Sequence, residues 1–222
     1  HIQIRKRPAN DSLIEGAIWR KMLIFFLPIM CGTILQQLYN MADTVIVSIF
    51  VGKQALAAVG GSSATITSLL VNFFVAMSSG ASVIISQNFG AGERENVRRG
   101  IQNAMVLALA SGTLLTVVGI AAARPLLELL GTTADTIDYS TEYLQYYFMG
   151  MIPSMIYNMG SGLLRAMGDS KKPLQFLAVA AALNVGLDLL FVVTFQMAVI
   201  GAAVATTIFQ IVSAILVLGA LR

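Results

Sequence analysis

Two carboxylates stand inside long apolar stretches of this chain of 222 residues. Asp43 is the only charged residue from Met22 to Val51, and Asp188 the only one from Pro173 to Leu221. An ionisable group placed mid-membrane costs about 2.5–3.5 kcal/mol to insert, so such residues ordinarily face the protein interior and mark a functional site. Asp43 lies nine residues before Gly52 and Asp188 eight before Gln196, the outer ends of their runs. At ~1.5 Å per residue both acids sit roughly 12–14 Å inside those ends, in one shared layer.

The neighbours of each acid extend it into a polar stripe. Gln36, Asn40 and Asp43 fall at i, i+4, i+7 on one helical face, and Asn184 and Asp188 at i, i+4 on another. Thr206 reaches a similar depth in the last apolar run and shares a face with Gln210 and Ser213. Carboxylates, an amide and a hydroxyl are the hard oxygen donors that a proton or Na⁺ site uses. Two carboxylates held close together also raise the proton affinity of one of them. Polar groups in membrane bundles also hydrogen-bond helices together, and for Gln36 and Asn40 that role is the more natural one. Tyr143 and Asn158, on a face shared by Tyr139, Tyr147, Ser154 and Ser161, suit either a cavity wall or such interhelical bonds.

These residues must be positioned by membrane helices. Hydrophobic residues make up 57% of the chain and charged ones 11%, against about 45–50% and 25% in a soluble domain, and the apolar runs are too long for a soluble core. The pattern predicts an all-α membrane protein: a polar segment 1–16, then a bundle over 17–222 with six spans near 22–51, 54–88, 100–123, 139–164, 173–195 and 199–221. Ser12 and Glu15 have capping-box spacing before the first span, and Pro28 gives that long span a place to bend. Gly80 is a candidate break in the second span. Arg124-Pro125 closes the third, Gly131 caps the segment after it, and Pro173 opens the fifth. Trp19 and Tyr139 read as interfacial belt residues.

Lys and Arg in alternate loops count twelve on one side (five up to Lys21, three over Arg94–Arg99, Arg165, Lys171, Lys172 and Arg222) against two, Lys53 and Arg124, on the other. Short basic loops stay cytoplasmic, so both termini are expected there and the protein in the plasma or inner membrane. The net charge of +3 is spent on this asymmetry and gives no nucleic-acid surface. A lone cysteine, Cys31, allows no disulfide within one chain and reads as a packing residue; the only histidine is His1, at the extreme end. Nucleophile–base constellations, metal-ligand clusters and phosphate-binding Gly-rich loops are absent from the sequence, so no enzyme and no cofactor beyond a coupling ion is expected.

The ordered motifs Leu27-Pro28, Leu35-Gln-Gln-Leu-Tyr-Asn-Met-Ala-Asp43-Thr, Ala55-Leu-Ala-Ala-Val-Gly60 and Ser86-Gln-Asn-Phe-Gly-Ala-Gly92 are followed by Leu164-Arg-Ala-Met-Gly-Asp169 and Leu183-Asn-Val-Gly-Leu-Asp188. In this order they make the chain resemble the multidrug and toxic compound extrusion (MATE) family over nearly all of its length after residue 20. The resemblance implies an exporter of drugs or small organic, often cationic, compounds, driven by H⁺ or Na⁺ antiport through alternating access. Such a protein has twelve helices in two six-helix lobes. It maps Asp43, Asn184, Asp188 and Thr206 onto the amino-terminal lobe's cation site, with a possible Na⁺ there, Tyr143 and Asn158 onto the cavity wall, and Pro28 onto the bending point. The chain holds one lobe, so the resemblance implies a missing second lobe or a second copy as partner. A lipid-linked sugar flippase of related fold is disfavoured, because no Lys or Arg lies mid-membrane; a non-transporting assembly module is the other alternative.

Overall fold

The computed structural model describes residues 18–50, 60–195 and 197–221. The segment 1–16 with its capping spacing, Lys53, and the outer-end markers Gly52 and Gln196 lie outside the described residues, as does the Asp43 side chain. Seven helices follow in order: α1 (Ile18–Phe50), α2 (Ser62–Gly90), α3 (Arg94–Leu129), α4 (Ala134–Met149), α5 (Met151–Ala166), α6 (Lys171–Asp188) and α7 (Ala198–Leu221). Between α6 and α7 the chain continues from α6 as a π-helical turn, Leu189–Thr194. Among the described residues five stretches are long and apolar enough to cross a membrane: α1, α2, α3, α6 with its π turn, and α7.

The fourth expected span is α4 and α5 in succession rather than one helix. Pro153 has no N–H to offer the Met149 carbonyl four residues back, so the ladder is interrupted there. Gly150 takes up the change, its N–H bonding the Tyr147 carbonyl at 3.0 Å in a tightened turn, and its carbonyl accepting from Ser154 N–H at 3.0 Å. Other boundaries move as well. Helix α3 runs through Pro125 to Leu129 instead of stopping near 123, because Leu127 is fully buried in the core and anchors the extra turn. Helix α2 passes Gly80 without a break, and a Cβ there would meet nothing within 4 Å. Helix α6 starts at Lys171, which puts Pro173 in the first turn, where backbone N–H groups have no intrahelical partner to lose. Cys31 is exposed on α1 and so is not a packing residue.

Helices α3 and α5 end in the same device. Gly131 and Gly168 take φ of 71° and 82°, a left-handed conformation open to glycine. The next N–H groups then close onto carbonyls five residues back, Thr132 to Leu127 at 3.0 Å and Asp169 to Leu164 at 2.9 Å. Gly131 thus caps as its sequence suggests.

Helix α5 is the axis of the bundle, packing against α2, α3 and α7, while α4 lies on α3 and α7 and α1 lies mainly on α6. Small residues make these seams possible. A Cβ on Gly162 would meet Ser78 of α2, one on Gly160 would meet Val217 of α7, and one on Gly112 would stand 3.0 Å from the Ile152 Cα. Hydroxyls bond across the seams: Ser78 donates to the Asn158 carbonyl at 3.1 Å and Thr116 to the Phe148 carbonyl at 3.0 Å. The outward faces carry large apolar side chains, among them Leu69, Val106, Leu114, Val117 and Ile215. That surface matches lipid rather than water.

Candidate functional site

A cavity of about 460 Å³ opens between α1, α2, α4, α5 and α7. Helix α1 presents Gln36, Tyr39, Asn40 and Thr44 to it, α2 presents Thr67, Ser68 and Asn72, and α4 presents Tyr143 and Tyr147. Ser154, Tyr157 and Asn158 come from α5, Leu177 from α6, and Thr206, Phe209 and Gln210 from α7. Among the described residues this lining holds amides, hydroxyls and aromatic rings but no charged group. The Tyr39 ring crosses from α1 to lie 5.0 Å from that of Phe209, tilted by 45°, and Tyr143 and Tyr147 lie 6.1 Å apart. Such a wall can hold a planar organic molecule by stacking and neutral hydrogen bonds, and a cationic one also through the ring faces.

The helices deliver these side chains by simple periodicity. Gln36, Asn40 and Thr44 are successive i, i+4 positions of α1, and Thr44 is fixed by donating to the Asn40 carbonyl at 2.8 Å. Asn158 donates from Nδ2 to the Ser154 carbonyl at 2.9 Å, which holds its amide against the α5 face that lines the cavity. Thr206 falls four residues before Gln210 on α7, so both reach the same wall.

Gln36, Asn40, Tyr143, Asn158 and Thr206 are thus brought together on one cavity. Asn184 and Asp188 are not on it. They continue the stripe Leu177, Ala180, Ala181 along α6, and both are fully buried, at 0% exposure. That stripe packs on Phe209 of α7 with Leu35 and Tyr39 of α1 alongside, and the amide and the acid continue its buried side along α6. Neither amide atom of Asn184 has a hydrogen-bond partner among the described residues, which leaves a dipole available in a low-dielectric seam. The π-helical turn begins directly after Asp188; such turns inside helices are frequent at functional sites. Pro28 lies within α1 and lines a second, smaller cavity at the basic end of the bundle.

A family model described as MatE matches residues 28–190. The chain belongs to the MatE family. The probable multidrug resistance protein YpnP of Bacillus subtilis is 33% identical over 196 residues, which cover 88% of this chain and 44% of that protein. A FAD transporter of Shewanella oneidensis is 25% identical, covering 89% of this chain and 44% of that protein. Among solved structures, a MOP superfamily transporter from Pyrococcus furiosus superposes with a TM-score of 0.86 at 27% identity, covering 96% of this chain and 47% of that one. The chain spans about half the length of the MatE relatives it matches, as one lobe of such a transporter would. This is a multi-pass membrane protein of a family of transporters, not of enzymes.

Sequence reasoning missed the α2 wall and the break at Gly150. Ser68 and Asn72 stand at i, i+4 in an otherwise apolar span, the same signal that singled out α1. Gly150 with Pro153 three residues on is a readable helix interruption.

Proposed function

We propose that this chain is the amino-terminal lobe of a cation-coupled antiporter that exports small organic, often cationic, compounds by alternating access. Asp43, Asn184, Asp188 and Thr206 form its H⁺ or Na⁺ site, and Gln36, Asn40, Tyr143 and Asn158 belong to its substrate cavity. The observation that carries this reading is the complete burial of Asn184 and Asp188 in the α6 seam, one helical turn apart. A carboxylate kept from water in an apolar bundle is expensive unless a proton or cation accompanies it, so its charge state is tied to cation binding. Asp43 rides on α1, which packs on the same helix, α6. Loading the site would change how α1 docks on α6, with Pro28 as the place where α1 yields. Cation and solute would then favour opposite-facing states, which is what couples their fluxes.

The second lobe completes the cavity, either as the carboxy-terminal half of the same polypeptide or as a second copy, in the plasma or inner membrane with both ends of this lobe cytoplasmic. The test is efflux of a fluorescent organic cation from vesicles holding a transporter that contains this lobe. Asp43→Asn is expected to reduce gradient-driven efflux at least tenfold while leaving substrate binding in place. Coupled efflux that survives the substitution would remove Asp43 from the role.

A further inference from the structure

We infer that the basic end of this lobe holds a site for a phosphate ester, with the aromatic body of the same molecule reaching into the larger cavity. The second cavity, about 280 Å³, shares Gln36, Tyr157, Asn158 and Leu177 with the first, so the two adjoin. Its lining contains one charged residue, Arg165, which is half-buried and forms no ion pair among the described residues. The nearest acid along the chain is already engaged: the Asp169 carboxylate accepts from the Lys172 backbone N–H at 3.2 Å and meets its Nζ at 3.5 Å. A guanidinium held partly out of water with no counter-ion attracts an anion to the cavity.

Two further groups converge on the same space. Tyr157, Ser161 and Arg165 repeat at i, i+4, i+8 and form one polar face of α5. Ser161 is buried, and its Oγ faces the Tyr157 hydroxyl without closing a hydrogen bond of acceptable geometry to any described residue. Across the cavity stands the first turn of α6, an 18-residue helix entered through Ser170. The Lys172 N–H of that turn is taken by Asp169 and Pro173 has none, so what the turn adds is the positive end of the helix dipole. A guanidinium fork with a hydroxyl of unspent capacity beside it matches a phosphate monoester, which pairs the fork through two terminal oxygens and leaves the third for the hydroxyl. A ligand anchored at Arg165 would point its remainder toward the rings of Tyr39, Tyr143 and Phe209.

The chemistry is that of a phosphate ester, and two sources supply it: a soluble aromatic phosphate, or a lipid headgroup whose chain lies outside the bundle. The inference depends on the proposed export reading only in that the cavity admits a solute. A binding measurement without a cation gradient is therefore indifferent to the outcome at Asp43.

The probe is flavin mononucleotide against riboflavin, the same ring system without the phosphate, followed by flavin fluorescence on the purified chain in detergent free of anionic lipid. Flavin mononucleotide is expected to bind at least tenfold tighter than riboflavin. Arg165→Gln should abolish that preference and leave riboflavin affinity unchanged, whereas Arg124→Gln, near the end of α3 and outside the cavity, should alter neither. Where Arg165→Gln lowers expression or the melt, Arg165→Lys carries the test: it keeps the charge, loses the fork, and should cost the preference several-fold. Repeating the titration in nanodiscs separates the sources. If phosphatidylglycerol, but not phosphatidylcholine, competes with flavin mononucleotide on the parent and not on Arg165→Gln, the same site takes a lipid phosphate. Equal affinities for the two flavins on the parent, or a preference that persists undiminished in both Arg165 variants, overturns the inference.

Discussion

Helices α5 and α1 are both apolar parts of one lobe, yet they are held in opposite ways. Of the 16 residues of α5, nine are buried, drawn from every side of the helix, because it meets α2, α3 and α7 at once. Among the described side chains of α1, Ile46 alone is buried, although the helix has 33 residues. Helix α5 is gripped through glycine and serine seams in which backbones nearly touch, and such seams have no slack to slide. Helix α1 rests on α6 through Leu35 and Tyr39 beside the Leu177–Ala181 stripe, side chains that stay only partly buried. A transporter lobe needs one part that stays and one that moves. On the export reading proposed above, the difference in burial suits α5 with its neighbours to the first role and α1 to the second.

The comparison breaks most sharply at glycine. Gly112→Leu would drive a side chain into the Ile152 backbone, whose Cα already stands 3.0 Å from where a Cβ would be. Overpacking against backbone costs about 3 kcal/mol or more, so the detergent melt should fall steeply or the chain should fail to assemble. Gly80→Leu, on a face where a Cβ meets nothing within 4 Å, should leave the melt unchanged or slightly raised. Equal damage from both would show that the seams do not hold the lobe together.

Next in size is the buried pair on α6. If the seam at Asn184 and Asp188 takes a cation, Na⁺ or a fall in pH should raise the melting temperature, by about 2.7 kcal/mol of stabilisation at a hundredfold excess over the dissociation constant. Asp188→Asn should abolish the response while leaving the cation-free melt near that of the parent, since the amide is close to the neutral acid in shape. A response that persists in Asp188→Asn places the cation elsewhere, and a parent with no response returns the acid to a purely structural role.

What the sequence showed of this site depended on periodicity. Gln36, Asn40, Tyr143, Asn158 and Thr206 are polar positions repeating at helical spacing in apolar runs, and they line one cavity. Periodicity locates a face on a helix, but not which neighbour that face meets. It therefore grouped Asn184 and Asp188 with the other polar residues without revealing that both are buried and neither lines that cavity. The fold was legible where a proline or glycine acts alone, as at Gly131. It was misread where tertiary packing decides. Leu127 in the core carries α3 past Pro125, and open space leaves Gly80 without effect. The π-helical turn at Leu189–Thr194 has no marker in an unbroken apolar run. Arg165 was legible only as a topology charge, because the cavity beside it is formed by α1 and α6 as well as α5.

Hydroxyls across the seams contribute a smaller, testable share. Thr116 shares its one hydroxyl proton between the Gly112 carbonyl at 2.9 Å and the Phe148 carbonyl at 3.0 Å, the second linking α3 to the end of α4. Thr116→Val keeps the shape and removes the donor, and a single buried hydrogen bond is worth about 1 kcal/mol. The expected result is a modest fall in the melt, against a shift near zero for Thr113→Val, whose hydroxyl is exposed and bonds only within its own helix at 2.8 Å.

The smallest effect is expected where charges are most conspicuous. Arg124, in the last turns of α3, lies 3.2 Å from both Glu128 and Asp138 of α4, with all three side chains more than half exposed. A pair in water gains little, because solvent weakens the attraction and two long side chains lose freedom to make it; exposed pairs are worth about 0.2–1 kcal/mol. Asp138→Asn should therefore shift the melt by less than about 0.5 kcal/mol, and the difference should vanish in about 1 M salt, where the screening length is about 3 Å. A larger, salt-resistant loss would mean that this corner is desolvated in the membrane-embedded protein. The α3–α4 turn would then belong with the fixed half of the lobe, held by its surroundings as α5 is, rather than with its solvated rim.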